Sequence, residues 1–92
     1  MRITYDPEKR DSTMEHRGLD MANADQVFDG PTITVEDDRK NYGEKRLITI
    51  GFLLRRMVVL VWTRRGNTRR IISMRKANDR EQKTYGKSLE RP

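Results

Sequence analysis

Polar and apolar positions near the start of the chain predict a short strand followed by a helix. Residues 2–5, RITY, can form an edge strand. Asp6 and Pro7 then supply an N-cap and a proline at the first helical position, and the helix should end near Arg17, before Gly18. Met14 is the only large apolar side chain between these ends. The helix is therefore expected on the surface, or covered by another element.

A second helix and four strands follow in the pattern. Asp20 can cap a helix whose apolar residues recur at helical spacing, namely Ala24, Val27 and Phe28, and the segment DGP at 29–31 ends it. Apolar positions predict strands at 32–36, with Ile33 and Val35 turned inward, and at 46–52, 57–62 and 69–75. Residues 57–62 are apolar on both faces, which predicts a central strand.

The connections between these strands differ in turn chemistry. LLRR at 53–56 must hold one hairpin, yet it lacks the Gly, Asn or Asp that supplies a positive φ, so a longer or irregular turn is expected. Gly66 and Asn67 suit the next turn better. Asn78 and Glu81 then match a capping box that opens a final helix, and the tail after about Gly86 is expected to fray.

The predicted order of elements is β-α-α-β-β-β-β-α. Since the later strands are joined by links of hairpin length, this order predicts an α+β domain with a meandering, mostly antiparallel sheet, helices packed on one face and a short C-terminal helix. At 92 residues the chain supports one domain, spanning residues 1–92.

Composition restricts the chemistry available to the protein. The chain has no cysteine and one histidine, which excludes disulfides, zinc–thiolate sites and multi-histidine metal sites. No apolar run approaches the roughly 20 residues that span a bilayer, and the first ten residues lack a signal-peptide apolar region. A cytoplasmic protein with no metal, no cofactor and no membrane association is therefore expected.

Charge is segregated along the chain. Residues 1–38 contain four Lys/Arg and ten Asp/Glu, a net charge of −6, whereas residues 39–92 contain sixteen and four, a net charge of +12. The two halves can neutralise each other by packing together, but a net charge of +6 remains. This excess favours a polyanionic partner, with nucleic acid preferred over a membrane because no basic amphipathic helix with a wide apolar face is visible.

The last predicted strand combines apolar residues with cations. Alternation places one set of side chains on one face, Arg69, Ile71, Ser73 and Arg75, and the other set opposite, Arg70, Ile72, Met74 and Lys76. Arg64 and Arg65 should lie near Arg69 across the preceding turn. With the amide groups of the final helix, these cations can form one open phosphate-binding cradle. Pairing with acidic residues of the N-terminal half explains them equally well.

Few other side chains suggest a chemical role. His16 can transfer protons near neutral pH, but for a lone histidine a helix C-terminal cap is the preferred interpretation. Tyr42, Tyr85 and Trp62 can stack on bases. Trp62 ends an apolar run and is expected in the core, and Tyr85 is expected to be a packing residue that belongs to the last helix.

Several segments, taken in order, resemble BrnT-type toxins: YDPEKRDSTMEHRGLD, VFDGP, GEKRLITIG, VVLVWT and RRIISMRKANDRE. The resemblance covers about residues 3–85, and the end of the first helix departs from it, with TMEHRG where relatives commonly carry Asn-x-x-Lys-His-Gly. It implies a RelE-like fold, ribonuclease activity and a BrnA-type antitoxin with a ribbon-helix-helix DNA-binding domain. It also implies that operator DNA is bound only through the antitoxin.

Two functions follow as hypotheses. The first is a metal-independent endoribonuclease toxin, with Arg70, Arg75 and Lys76 on the phosphate and His16 as general acid or base. Its RNA-binding residues would be Arg64, Arg65, Arg69 and Tyr85. Cleavage without a metal uses the 2′-OH of the RNA, and fixed cations stabilise the charge that develops on the phosphate. The second hypothesis is a non-catalytic basic module that binds nucleic acid or protein. An antitoxin is expected to cover part of the basic surface.

Overall fold

A five-stranded mixed sheet forms the centre of the molecule, in a computed structural model that describes residues 1–89. The elements are β1 Arg2–Tyr5, α1 Pro7–Arg17, a 3-10 turn Met21–Asn23, α2 Ala24–Asp29, β2 Ile33–Asp37, β3 Arg46–Leu53, β4 Arg56–Arg65, β5 Thr68–Lys76 and α3 Asp79–Leu89. The strand order is β1-β5-β4-β3-β2, with β1 parallel to β5 and the other pairs antiparallel. The predicted α+β fold with a mostly antiparallel sheet is confirmed.

The two faces of the sheet carry separate hydrophobic clusters. On the face that we call the α2 face, strand residues such as Leu60 and Met74 pack against Val27 of α2 and against Leu19 and Met21 before it. On the opposite α3 face, the cluster joins Ile50, Met57 and Val59 to Ala77 and to Leu89 of α3. The sequence had predicted helices on one face; the clusters place α2 and α3 on opposite faces. No helix within residues 1–89 has the length and apolar character needed to cross a membrane.

Helix α1 lies along β5 and is held by polar contacts. It buries no residue, which agrees with its single apolar side chain. Lys9 Nζ donates a hydrogen bond to the carbonyl oxygen of Ile72, and Arg17 Nη1 donates to that of Met74 at 2.7 Å. Both carbonyls lie beyond Ile71, the last residue of β5 that pairs with β1. The helix therefore covers the part of the β5 edge that β1 leaves unpaired.

One extra residue interrupts the pairing of β4 with β5. Trp62 pairs with Ile71, but its neighbour Val61 pairs with Ser73, so Ile72 is the extra residue of a β-bulge. The bulge shifts the alternation on either side of it by one position. The predicted division into two faces is therefore wrong. Arg70, Ser73 and Arg75 share the α3 face, while Arg69, Ile71 and Met74 share the α2 face.

The hairpin between β3 and β4 closes in two residues, which contradicts the expected longer or irregular turn. Leu53 pairs with Arg56, and the residues between them, Leu54 and Arg55, have φ values of 51° and 69°. Left-handed backbone costs an L-residue about 1–2 kcal/mol, and such strain persists only where the surrounding structure imposes it. Here the eight-pair register between the two strands imposes it.

The capping box at the start of α3 is confirmed. Asn78 Oδ1 accepts a hydrogen bond from the amide of Glu81 at 2.8 Å, and Glu81 Oε1 accepts from the amide of Asn78 at 2.9 Å. Both oxygens of Glu81 also accept hydrogen bonds from Arg75, each at 2.8 Å. The helix continues past Gly86 to Leu89, which is buried, so the expected fraying does not begin at Gly86. Residues 90–92 of the predicted tail lie outside the described residues.

Leu54→Asn combined with Arg55→Gly should raise the free energy of unfolding by about 1–2 kcal/mol, because these residues adopt a positive φ with less strain. Urea denaturation measures the change. Lys40→Gly is the matched control, since it also replaces a cation with glycine, but at a position whose φ is not positive. That control should not stabilise the protein. A double variant no more stable than wild type would show that the turn holds no strain.

Glu81→Gln should lower the free energy of unfolding by about 1 kcal/mol at neutral pH. The hydrogen bonds from Arg75 lower the pKa of Glu81 from 4.5 to about 2, so the ionised carboxylate stabilises the folded state. This stabilisation is complete above pH 4.5 and is lost as the pH falls toward about 2. Thermal unfolding at successive pH values should therefore show wild type and variant converging. Asp79→Asn is the control. A difference in stability between wild type and Glu81→Gln that is the same at every pH would refute the link between the ionisation of Glu81 and folding.

Candidate nucleic-acid interface

Part of the α3 face stays open to solvent. α3 covers the cluster around Ile50 and Val59, but farther along the same strands Val61 is only partly buried and Val35 of β2 is 48% exposed. The sequence had placed Val35 inward; its face is not covered at that point. We call this uncovered area the open surface, defined by Val35, Arg46, Ile48, Val61, Arg70 and Ser73. It combines an apolar floor with cations at its edge.

A cross-strand row of residues places two arginines at one end of the open surface. Arg46 pairs with Thr63, and Thr63 pairs with Arg70, so the three side chains project from the same face of neighbouring strands. Strands lie about 4.8 Å apart, which puts the Cα atoms of Arg46 and Arg70 about 10 Å apart. A phosphate group can be bound by two guanidinium groups at such a separation, because arginine side chains are long and flexible.

These arginines line a groove of about 170 Å³, which we call the arginine groove, together with Asp6, Lys9, Glu44 and Arg65. Glu44 lies 3.4 Å from Arg65 Nη2 and 4.0 Å from Arg46 Nε. Within residues 1–89, Arg70 makes no ion pair with a carboxylate. The groove therefore contains four cations and two acidic side chains, and one of its arginines is available to an anion.

The loop that carries Glu44 into this groove is fixed by a buried carboxylate. Asp37, at the end of β2, is 4% exposed and accepts two hydrogen bonds from Arg39, each at 2.7 Å. These bonds hold the pKa of Asp37 down at about 2. Tyr42 also donates a hydrogen bond to Asp37, and the guanidinium of Arg46 stacks 4.0 Å from the Tyr42 ring. The start of β3 is thereby held in one position.

A second groove, of about 450 Å³, runs between α1 and β5 and contains the only histidine. We call it the histidine groove; it is lined by Lys9, Ser12, Thr13, His16, Arg17 and Ser73. His16 Nδ1 lies 3.0 Å from the carbonyl oxygen of Ser12. Because a carbonyl only accepts, Nδ1 carries a proton and Nε2 is left for another partner. Lys9 lines both grooves, so the two adjoin.

Arg75 reaches the same face as Arg70 but is already paired. Its guanidinium donates two hydrogen bonds to Glu81, which is also the capping residue of α3. The hydrogen bonds to Glu81 raise the pKa of Arg75 above its ordinary value. The predicted phosphate contact from Arg75 would therefore have to compete with a carboxylate of the same chain.

The remaining predicted residues lie elsewhere. Arg64 and Arg69 are on the α2 face, where the guanidinium of Arg69 stacks 3.8 Å from the Phe28 ring and 5.3 Å from the Trp62 ring. Lys76 lines a separate groove with Arg55 and Arg56 beside the β3–β4 hairpin. Tyr85 packs against the α3-face cluster, and Trp62 is buried as predicted. The expected single cradle is therefore not formed: Arg65 and Arg70 come together, and the other predicted residues do not join them.

Sequence reasoning missed four charged lining residues of the arginine groove, Asp6, Lys9, Glu44 and Arg46. A usable signal was present for Arg46, since alternation in β3 puts it on the face of Ile48 and Ile50. Lys9 and Glu44 come from a helix and a loop, and only the tertiary fold brings them to the strands. Within residues 1–89, no group of three or more His, Cys, Asp or Glu side chains is placed to hold a metal ion.

Comparison with protein families identifies the family of the chain. No curated protein matches the chain. Residues 5–81 match a family model described as the ribonuclease toxin, BrnT, of type II toxin–antitoxin systems, and this range includes β5 and most of both grooves. A toxin of this kind acts on RNA and is neutralised by an antitoxin. The chain belongs to the BrnT family of type II toxin–antitoxin ribonuclease toxins.

Proposed function

We propose that this toxin is a metal-independent endoribonuclease that binds the RNA backbone in the arginine groove. The observation that carries the proposal is the cross-strand row in which Arg46 and Arg70 share the open surface, with Arg65 and Lys9 beside them. Arg70 supports it most directly, since no carboxylate within residues 1–89 pairs with it. Both arginines stand on strands, and sites on strands hold their geometry better than sites on loops.

Without a metal, the nucleophile is the 2′-OH of the RNA itself. Its oxygen attacks the adjacent phosphorus, the bond to the 5′ oxygen breaks, and the products are a 2′,3′-cyclic phosphate and a 5′-OH. Extra negative charge develops on the phosphoryl oxygens in the transition state. A fixed guanidinium at those oxygens contributes about 3–4 kcal/mol. We assign this role to Arg70, with Arg46 and Arg65 orienting the strand.

The apolar floor and the neighbouring groove complete the proposed site. Val35 and Val61 offer surface for a base or ribose, and displacing water there strengthens the arginine–phosphate attraction. His16 is the proposed acid for the leaving 5′ oxygen, through Nε2. Arg75 is proposed to position β5 and α3 through Glu81. Lys76 is proposed to contact the RNA strand farther along its length, together with Arg55 and Arg56.

We also propose that the antitoxin is a BrnA-like ribbon-helix-helix protein and that operator DNA is bound only through it. Charge supports a direct block of the site, since the groove cations attract acidic side chains as well as phosphate. An acidic segment of the antitoxin that lies across the open surface would exclude RNA. Apolar anchors on that segment would contact Val35 and Val61.

Arg70→Ala should lower the rate of RNA cleavage about 100- to 1,000-fold, because the transition state loses one fixed cation. The measurement is single-turnover cleavage of an RNA oligonucleotide in EDTA, with the cyclic phosphate product identified by mass spectrometry. Arg64→Ala is the matched control: it removes the same charge from the α2 face and should change the rate by less than about threefold. Cleavage by wild type only after magnesium is added would refute the metal-independent mechanism. Binding of RNA without any cleavage would favour the basic-module alternative.

Binding of the antitoxin should weaken by at least about tenfold between low and physiological salt, because screening shortens the reach of the groove charges. Arg70→Glu should weaken it further, whereas Arg64→Glu should not. Titration calorimetry at several ionic strengths measures both effects. A dissociation constant that is independent of salt would place the antitoxin away from the arginine groove.

A further inference from the structure

Glu44 is held more loosely than the three carboxylates that form bidentate pairs with an arginine. Asp20, Asp37 and Glu81 each accept two hydrogen bonds from one arginine, at distances between 2.7 and 3.0 Å. Glu44 instead makes single contacts, at 3.4 Å with Arg65 and at 4.0 Å with Arg46, and its side chain is 33% exposed. Contacts of this length and exposure contribute little free energy, so little is lost when they break.

Glu44 also lies in the groove where the proposed reaction takes place. The arginine groove has one other acidic side chain, Asp6, and its Oδ1 already accepts the amide of Glu8 as the N-cap of α1. Asp6 is thus tied to the start of α1, whereas Glu44 is held only by its two long contacts with arginines. A phosphodiester held by Arg46 and Arg70 carries its ribose 2′-OH within one sugar of the phosphorus. Glu44 lines the same groove as Arg46 and Arg70, so a phosphodiester bound by these arginines would bring that hydroxyl near the carboxylate.

We propose that Glu44 is the general base of the cleavage reaction. The inference rests on the ribonuclease function proposed above and adds the proton acceptor that it lacks. A Glu44 oxygen removes the 2′-OH proton as the 2′ oxygen forms its bond to phosphorus. The bond from phosphorus to the 5′ oxygen breaks, and the departing oxygen takes the Nε2 proton of a doubly protonated His16, whose Nδ1 keeps its proton in the hydrogen bond to the Ser12 carbonyl oxygen. Both residues return to their starting states by exchange with water, so atoms and charges balance.

The loose contacts of Glu44 also allow it to change partners when substrate binds. When a phosphate enters the groove, the guanidinium groups of Arg46 and Arg65 gain a second anion, and their contacts with Glu44 can break at little cost in free energy. A tight bidentate pair such as Asp37 with Arg39 cannot exchange partners so readily.

Glu44→Gln tests the assignment, since it keeps the shape and removes the proton acceptor. At saturating RNA in EDTA, the variant should be about 100-fold slower than wild type, with KM changed by less than about threefold. The pH–rate profile should lose its acidic limb, because that limb reports protonation of the base. Glu44→Asp should recover part of the rate. Glu36→Gln is the matched control, as Glu36 is an exposed carboxylate paired only with Lys45 at 3.8 Å.

The outcomes separate the two proposals. If wild type cleaves RNA in EDTA and Glu44→Gln cleaves it equally fast with the acidic limb intact, the role of Glu44 is overturned and the ribonuclease proposal stands. A raised KM with an unchanged kcat also overturns it, because Glu44 would then only position Arg46 and Arg65. If wild type cleaves no RNA, the ribonuclease proposal fails and the base assignment fails with it. Circular dichroism and the melting temperature check that each variant is folded.

Discussion

The single extra residue in β5 is the constraint on which the rest of the site depends. A strand with regular alternation between Arg70 and Met74 would put both on one face, so that either the cation entered the core or the methionine left it. Burial of an unpaired guanidinium is too costly for a domain of this size. The bulge at Ile72 resolves the conflict: Ile71 and Met74 fill the α2-face core, and Arg70, Ser73 and Arg75 emerge on the other side. One added residue thus directs the apolar side chains of β5 to the core and its cations to the opposite face of the sheet.

Local chemistry predicted much of the fold. The caps at Asp6 and Asn78 depend on side chains within three residues, so they were visible in the sequence and are formed as expected. The bulge and the Leu54–Arg55 turn were not predictable in this way. Each is imposed by strand pairing at a distance, which overrides the preference of the residues concerned. Of the site, Arg65 and Arg70 were predicted from the cations around the last strand. The rest was not predicted, since the members of the site come from α1, a loop, β3, β4 and β5.

Arginines of residues 1–89 occupy at least three kinds of environment that composition cannot distinguish. Arg10, Arg39 and Arg75 are bound by carboxylates of the same chain, and their positive charge serves the fold. Arg69 is stacked on aromatic rings. Arg70 stands on the open surface with no such partner among residues 1–89. The net charge of +6 is therefore a poor guide to the size of the basic surface, because much of the positive charge is balanced locally.

The attachment of α1 has a consequence for the solution behaviour of the protein. The helix contributes no hydrophobic anchor and covers the β5 edge through Lys9 and Arg17, which occupy two backbone carbonyls. An uncovered strand edge is a template on which another chain can add a strand. α1 therefore acts as a guard against intermolecular β-pairing. Because this attachment is polar, the resistance of the protein to aggregation depends on hydrogen bonds at the surface. It depends less on the stability of the core.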